Sequence, residues 1–227
     1  MSLETTKSGV LPKPSFRREL TLQRRDDHRY YHHSRVNQSL HLVSAVCFMA
    51  CYALLFFDPG AAALLGWFVA MCSRQIGHFF FEPRSYDEVN RATHEHKEAI
   101  KVGYNLQRKR VLQAIWAVSP LLLYLNPGFF GLFDPYTGWG DFVESLTMLW
   151  LGLAIAALLF RTVHLFFIED VQTGLVWATK ILTDPFNDFK TYCKSPLYLM
   201  RGEWIDPMLH VHHGLEDGPA EPEALAR

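Results

Sequence analysis

Four apolar stretches, roughly Val36–Phe57, Gly60–Phe81, Val111–Phe133 and Phe142–Phe160, constrain this chain more than anything else in it. Each can cross a bilayer as a helix, because about 20 residues span the roughly 30 Å of hydrocarbon. The expected fold is therefore all-α: a polytopic membrane protein of about four transmembrane helices with cytosolic helical extensions. A net charge of −1 and a mean hydropathy near zero disguise this. The polar residues are segregated into the first 35 positions, the 82–110 loop and the tail after about residue 170, which leaves the rest apolar enough for lipid.

Orientation follows from the basic residues. Lys7, Lys13, Arg17, Arg18, Arg24, Arg25, Arg29 and Arg35 precede the first stretch, and Arg84, Arg91, Lys97, Lys101, Arg108, Lys109 and Arg110 fill the loop between the second and third. None occurs in Asp58-Pro59 or Asn126–Asp141. The positive-inside rule puts both termini and loop 82–110 in the cytosol. All eleven histidines then fall on the inner side. The expected organisation is a disordered basic tail (1–28), a four-span domain (29–170), a cytosolic or interfacial extension (171–213) and a disordered tail (214–227). No apolar core precedes Val36, so the first span is expected to direct insertion without a cleavable signal. Cys47, Cys51, Cys72 and Cys193 have neither disulfide nor zinc spacing and read as packing residues. Membrane lipids, not nucleic acid, are the expected surroundings, and the oligomeric state stays open.

Ionisable groups in a membrane segment are costly and mark function by default. His33, Asn37 and His41 are spaced i, i+4, i+8, one face of a helix that starts before His33. His32 points off that face unless the backbone bends at Ser34–Val36. At the end of the second stretch His78 and Glu82 stand one turn apart, with Arg74 and Gln75 in the turn before and Gly77 offering a close helix approach. Arg161, His164, Glu169 and Asp170 repeat that pattern weakly at the end of the fourth. Imidazoles and a carboxylate at one depth, without thiolates, suit non-haem iron, whose ligands leave positions open for oxygen and substrate, and zinc is also chemically compatible. His94 and His96 diverge on a helix, so as a pair they chelate only from a loop. His210, His212 and His213 lie in a hydrophilic stretch and read as a solvated cluster.

His32, Asn37 and His41, followed about 34 residues later by Gln75-x-Gly-His78 and Phe81-Glu82, resemble the 2-hydroxy fatty acid dioxygenases, small multispanning membrane proteins. The resemblance covers roughly residues 29–83. It implies iron(II) held by the histidines, with His32, Asn37, His41, Gln75, His78 and Glu82 as site residues. It also implies the shortening of 2-hydroxy fatty acids by one carbon, with dioxygen as co-substrate, on the cytosolic side of an endoplasmic reticulum or bacterial inner membrane. Asn37 and Gln75 would orient ligands or oxygen, and Arg74 would hold the substrate carboxylate. The chain departs from the family after Glu82, where Pro83-Arg84-Ser85-Tyr86 opens an added polar stretch, and again beyond Asp170. These additions let His94, His96 or His164 join the site. The resemblance favours His32 and the periodicity His33, and both stand at this point. Two other classes fit the sequence: a di-iron lipid hydroxylase or desaturase, from His28-x3-His32-His33 and His210-x-His212-His213, and a non-enzymatic lipid-binding protein.

Overall fold

The computed structural model describes residues 13–82, 85–87 and 90–208. These are helical, with two isolated bridges, Ser34–Ile205 and Asp87–Ala92, and no strand among the described residues. The helices are α1 (Phe16–Tyr31), α2 (Arg35–Leu54), α3 (Pro59–Leu64), a π-helical stretch (Leu65–Met71) leading into α4 (Cys72–Phe80), α5 (His94–Ala99), α6 (Leu106–Leu125), α7 (Trp139–Ile168), α8 (Val171–Tyr192) and α9 (Ser195–Met200). Their starts are written locally. Ser34, Asp58, Asn105 and Asp170 each accept a hydrogen bond from a backbone N–H of the first turn they cap, satisfying donors that a helix leaves unpaired.

α2 is the central element, packed against α4, α8 and α9, while α8 also packs on α1 and α7. One end of the bundle is apolar. Leu123, Phe142, Leu146 and Trp150 are buried there, and the Trp67 and Trp116 rings stack at 5.3 Å beside Trp150. The other end is polar and contains the histidines.

Two of the four apolar stretches, in α2 and α7, form helices long and apolar enough to cross a membrane, fewer than the four expected. The second stretch is helical but divided into α3, the π-helical stretch and α4, and it buries Ser73, Gln75 and His78. The third lies in α6, which opens on Arg108-Lys109-Arg110.

The N-terminal tail is corrected more sharply. Residues 16–28, expected to be disordered, belong to α1. Their partners are on α8, more than 150 residues away. Arg24 donates to Thr183 Oγ1 (2.6 Å), Gln172 donates to Glu19 Oε2 (2.7 Å), and Lys180 pairs with Asp27. Composition signals disorder when a segment cannot bury apolar area, and α1 is instead held by charge pairing that only the fold creates. The extension 171–208 likewise forms α8 and α9 as an integral wall of the bundle. The 214–227 tail, His210, His212 and His213 lie outside the described residues.

Candidate metal centre

The site begins with a break in the chain. α1 ends at Tyr31 and α2 starts at Arg35, so His32 to Ser34 form a corner instead of a continuous helix. Two side chains of α2 close the end of α1. Asn37 Nδ2 donates to Tyr31 O and Gln38 Nε2 to His32 O, both at 2.7 Å, supplying partners for carbonyls that a terminating helix leaves exposed. The segment after α9 fastens the corner from outside. Arg35 N donates to Trp204 O (2.9 Å), Asp206 N donates to His33 O (2.7 Å), and Asp206 pairs with Arg35 at 2.9 Å.

The corner decides between the adjacent histidines. His32 turns toward His41 and His78 and His33 away from them, although both are buried. The His32 ring lies 4.1 Å from that of His41 and 5.4 Å from that of His78, and His41 and His78 are 5.0 Å apart. One ring nitrogen of each lies within 4.8 Å of the others, and all three residues are buried. His33 Nε2 instead stands 3.2 Å from Tyr30 O and 3.3 Å from Asp87 Oδ2. The one-face spacing of His33, Asn37 and His41 fails because the helix begins two residues after His33.

Each ring is held from behind. His32 Nδ1 is 3.1 Å from the Tyr192 hydroxyl, which is also 3.1 Å from His28 Nδ1. His78 Nδ1 is 2.7 Å from Glu82 Oε2. His41 Nδ1 stands 3.5 Å from Asp188 Oδ2, a charge contact longer than a good hydrogen bond. Nε2 of His32 and Nε2 of His41 are buried without any hydrogen-bond partner. Buried orphaned nitrogens are costly, and three imidazoles converging on them fit a metal ion, with Nδ1 contacts as the supports that ligating histidines need. Burial, reinforced by His41 and Arg74, holds the His32 imidazole well below its usual range, so it is neutral at pH 7 and able to ligate. The cluster could therefore hold a metal ion.

The other expected residues are placed as follows. Glu82 supports His78 and stands outside the three-histidine group. Arg74 is not available for a substrate carboxylate, because it already lies 3.2 Å from Asp188 Oδ2 and 3.7 Å from Asp184 Oδ2. Asn37 acts on the α1–α2 corner. Gln75 is buried with Oε1 unpartnered. His164 is bonded to Arg161 at 2.7 Å and stacked on Phe160, so the echo in α7 builds no second site. His94 and His96 start α5 and stay out of the cluster.

Sequence reading missed α8. Lys180, Asp184, Asp188 and Tyr192 repeat every four residues, a polar stripe on one helix face. All four are buried. Burial would raise the Asp188 carboxyl, yet the Arg74 guanidinium and His41 hold it below the usual carboxylate range. On the opposite face Leu175, Leu182, Phe186 and Phe189 are exposed, an inside-out arrangement for a helix in water.

No family model, curated protein or solved structure matches this chain. The site therefore rests on its own geometry.

Asp188→Asn and Tyr192→Phe are each expected to lower metal affinity about tenfold to a hundredfold, as loss of a support behind a ligating imidazole does. Competition with a chelator of known affinity measures this. Unchanged affinity in both would show that α8 does not support the site.

Proposed function

We propose that this protein is a four-span membrane dioxygenase that holds one iron(II) on His32, His41 and His78 and shortens 2-hydroxy fatty acids by one carbon. The observation that carries this reading is the buried convergence of three imidazoles, two of them with an orphaned Nε2, and no thiolate. Imidazole sets with open positions suit non-haem iron and oxygen. Bound iron(II) supplies the redox chemistry with dioxygen that carbon–carbon cleavage needs.

The chain's own residues prepare the site. Tyr192 and Glu82 fix the His32 and His78 rings, and Asn37 and Gln38 hold the corner that aims His32 inward. The exposed apolar residues Val111, Ile115, Val118 and Leu121 of α6, and Ile155, Leu159 and Phe160 of α7, suit a lipid environment. Phe80 and Phe81, exposed beside His78, offer apolar surface for an acyl chain. A site at the polar end of the bundle suits a lipid with a polar head.

The gathering of one histidine group among the described residues favours one iron over two. The source of electrons separates the two reactions. Cleavage of R–CH(OH)–COOH by dioxygen to R–COOH, carbon dioxide and water takes all its electrons from the substrate, whereas hydroxylation or desaturation of an unactivated chain draws two from a reductase. Protein in detergent with iron(II) and oxygen is therefore expected to turn a long-chain 2-hydroxy fatty acid into the acid one carbon shorter without an added electron donor. Mass spectrometry of the products decides. A donor-dependent product of unchanged carbon number would overturn the assignment in favour of a hydroxylase, and iron-loaded protein inert toward both substrate types would favour lipid binding alone.

A further inference from the structure

A cleft of about 350 Å³ lies between α1 and α8 and reaches His32. It is the size of a small-molecule subsite. Its lining includes four permanent cations, Arg24, Arg25, Arg74 and Lys180, and three carboxylates, Asp27, Asp184 and Asp188, an excess of one positive charge (four minus three).

Three of those cations each have a hydrogen-bond acceptor within 3.2 Å. Lys180 pairs with Asp27 and, at 3.2 Å, with Asp184. Arg74 lies 3.2 Å from Asp188. Arg24 donates to Thr183 Oγ1 and faces Asp184 at 3.7 Å. Arg25 differs. Its carboxylate contact is to Asp26 Oδ1 at 3.9 Å, and that oxygen lies closer, at 3.2 Å, to Arg29. Nε is buried without a hydrogen bond in Arg24 and Arg25 alike, but Arg24 donates through Nη2 to Thr183 and Arg25 makes no side-chain hydrogen bond among the described residues. The Arg25 side chain is 24 % exposed and finds no hydrogen-bond acceptor among the described residues, so its guanidinium can exchange water for an entering anion. On the same cleft, His32 is 4 % exposed and its Nε2 is unpartnered. The cleft thus joins a cation without a hydrogen-bonding anion to a residue of the histidine cluster.

We propose that the α1–α8 cleft binds the anionic end of the substrate, with Arg25 receiving a carboxylate beside His32. This rests on the reading of the three-histidine cluster as the reaction centre. It assigns to Arg25 the role that Arg74, occupied by Asp188 and Asp184, does not fill. The planar guanidinium fork matches a carboxylate in bidentate fashion, so a substrate differing only in that charge is the discriminating probe.

Calorimetric titration of the purified full chain in detergent, loaded with iron(II) and kept without oxygen, tests this with three probes: 2-hydroxyoctanoate, the corresponding uncharged diol and inorganic phosphate. The acid is expected to bind at least about tenfold more tightly than the diol. Arg25→Gln is expected to abolish that preference while retaining the bound iron, and Arg25→Lys to keep most of it. Equal affinity for acid and diol in the natural chain, or an unchanged preference in Arg25→Gln, would overturn the proposal. Should Arg25→Gln fail to fold, the comparison on the natural chain decides alone. Phosphate binding as tightly as the acid would overturn it in favour of a free-phosphate site. Selective acid binding without turnover in oxygen would sustain the anion subsite and refute the dioxygenase reading, which separates the two failures.

Discussion

Iron(II) is expected to be lost from His41→Ala and from His78→Ala, and retained by His33→Ala. The three substitutions delete the same imidazole from positions the sequence treats alike, and only the tertiary placement separates them. His41 is fully buried, with its ring 4.1 Å from His32 and 5.0 Å from His78. Removing either His41 or His78 leaves two ligands of three. Loss of a mere supporting contact costs about tenfold to a hundredfold in metal affinity, so loss of a ligand is expected to exceed about a hundredfold. His33 spends its ring on Tyr30 O and Asp87 at the edge of the added loop, and its removal costs stability there without emptying the site. Metal analysis after gel filtration, with equilibrium competition against a chelator, reads the difference. Full occupancy in both His41→Ala and His78→Ala would exclude the site, and loss of metal from His33→Ala alone would return the choice to the helical spacing.

Gly77→Ala is expected to be nearly as damaging, although glycine carries no chemistry. A β-carbon at Gly77 would overlap Asn37 Oδ1, stand 3.2 Å from Asn37 Cγ and 3.5 Å from His41 Cδ2. Asn37 cannot simply swing aside. Its amide is bonded to Tyr31 O and holds the corner that carries His32. One methyl group therefore pushes α4 from α2, which moves His78 from His41 and His32 together. Overpacking of this kind costs about 1–3 kcal/mol, and metal affinity is expected to fall with it. Gly66→Ala is the comparison. Its β-carbon would meet Cys51 Sγ at 3.6 Å, an ordinary contact, so melting temperature and metal content are expected to stay close to those of the natural chain. Equal behaviour of the two variants would show that the α2–α4 approach is not what holds the centre.

The order in which the site became legible has a physical basis. His41, His78 and Gly77 lie inside helices, and helical periodicity with the cost of polar groups in apolar segments singles them out before any contact is known. His32 against His33 was beyond periodicity, because the two differ only by where one helix stops. That stop is set by Asn37 and Gln38 from the next helix and by Trp204 and Asp206 from the far end of the chain. Arg74 looked like a substrate ligand because its acidic partners sit more than a hundred positions away on α8.

By itself, then, the sequence determined an all-helical chain, the apolar character of α2 and α7, and two of the three histidines, since each depends on patterns a few residues long. The tertiary structure alone decided that α1 is ordered, that α8 faces inward with its charges, that Glu82 stands behind the His78 ring and that His32 completes the cluster. These depend on pairings between distant charges, whose buried energies are large only when both partners arrive together.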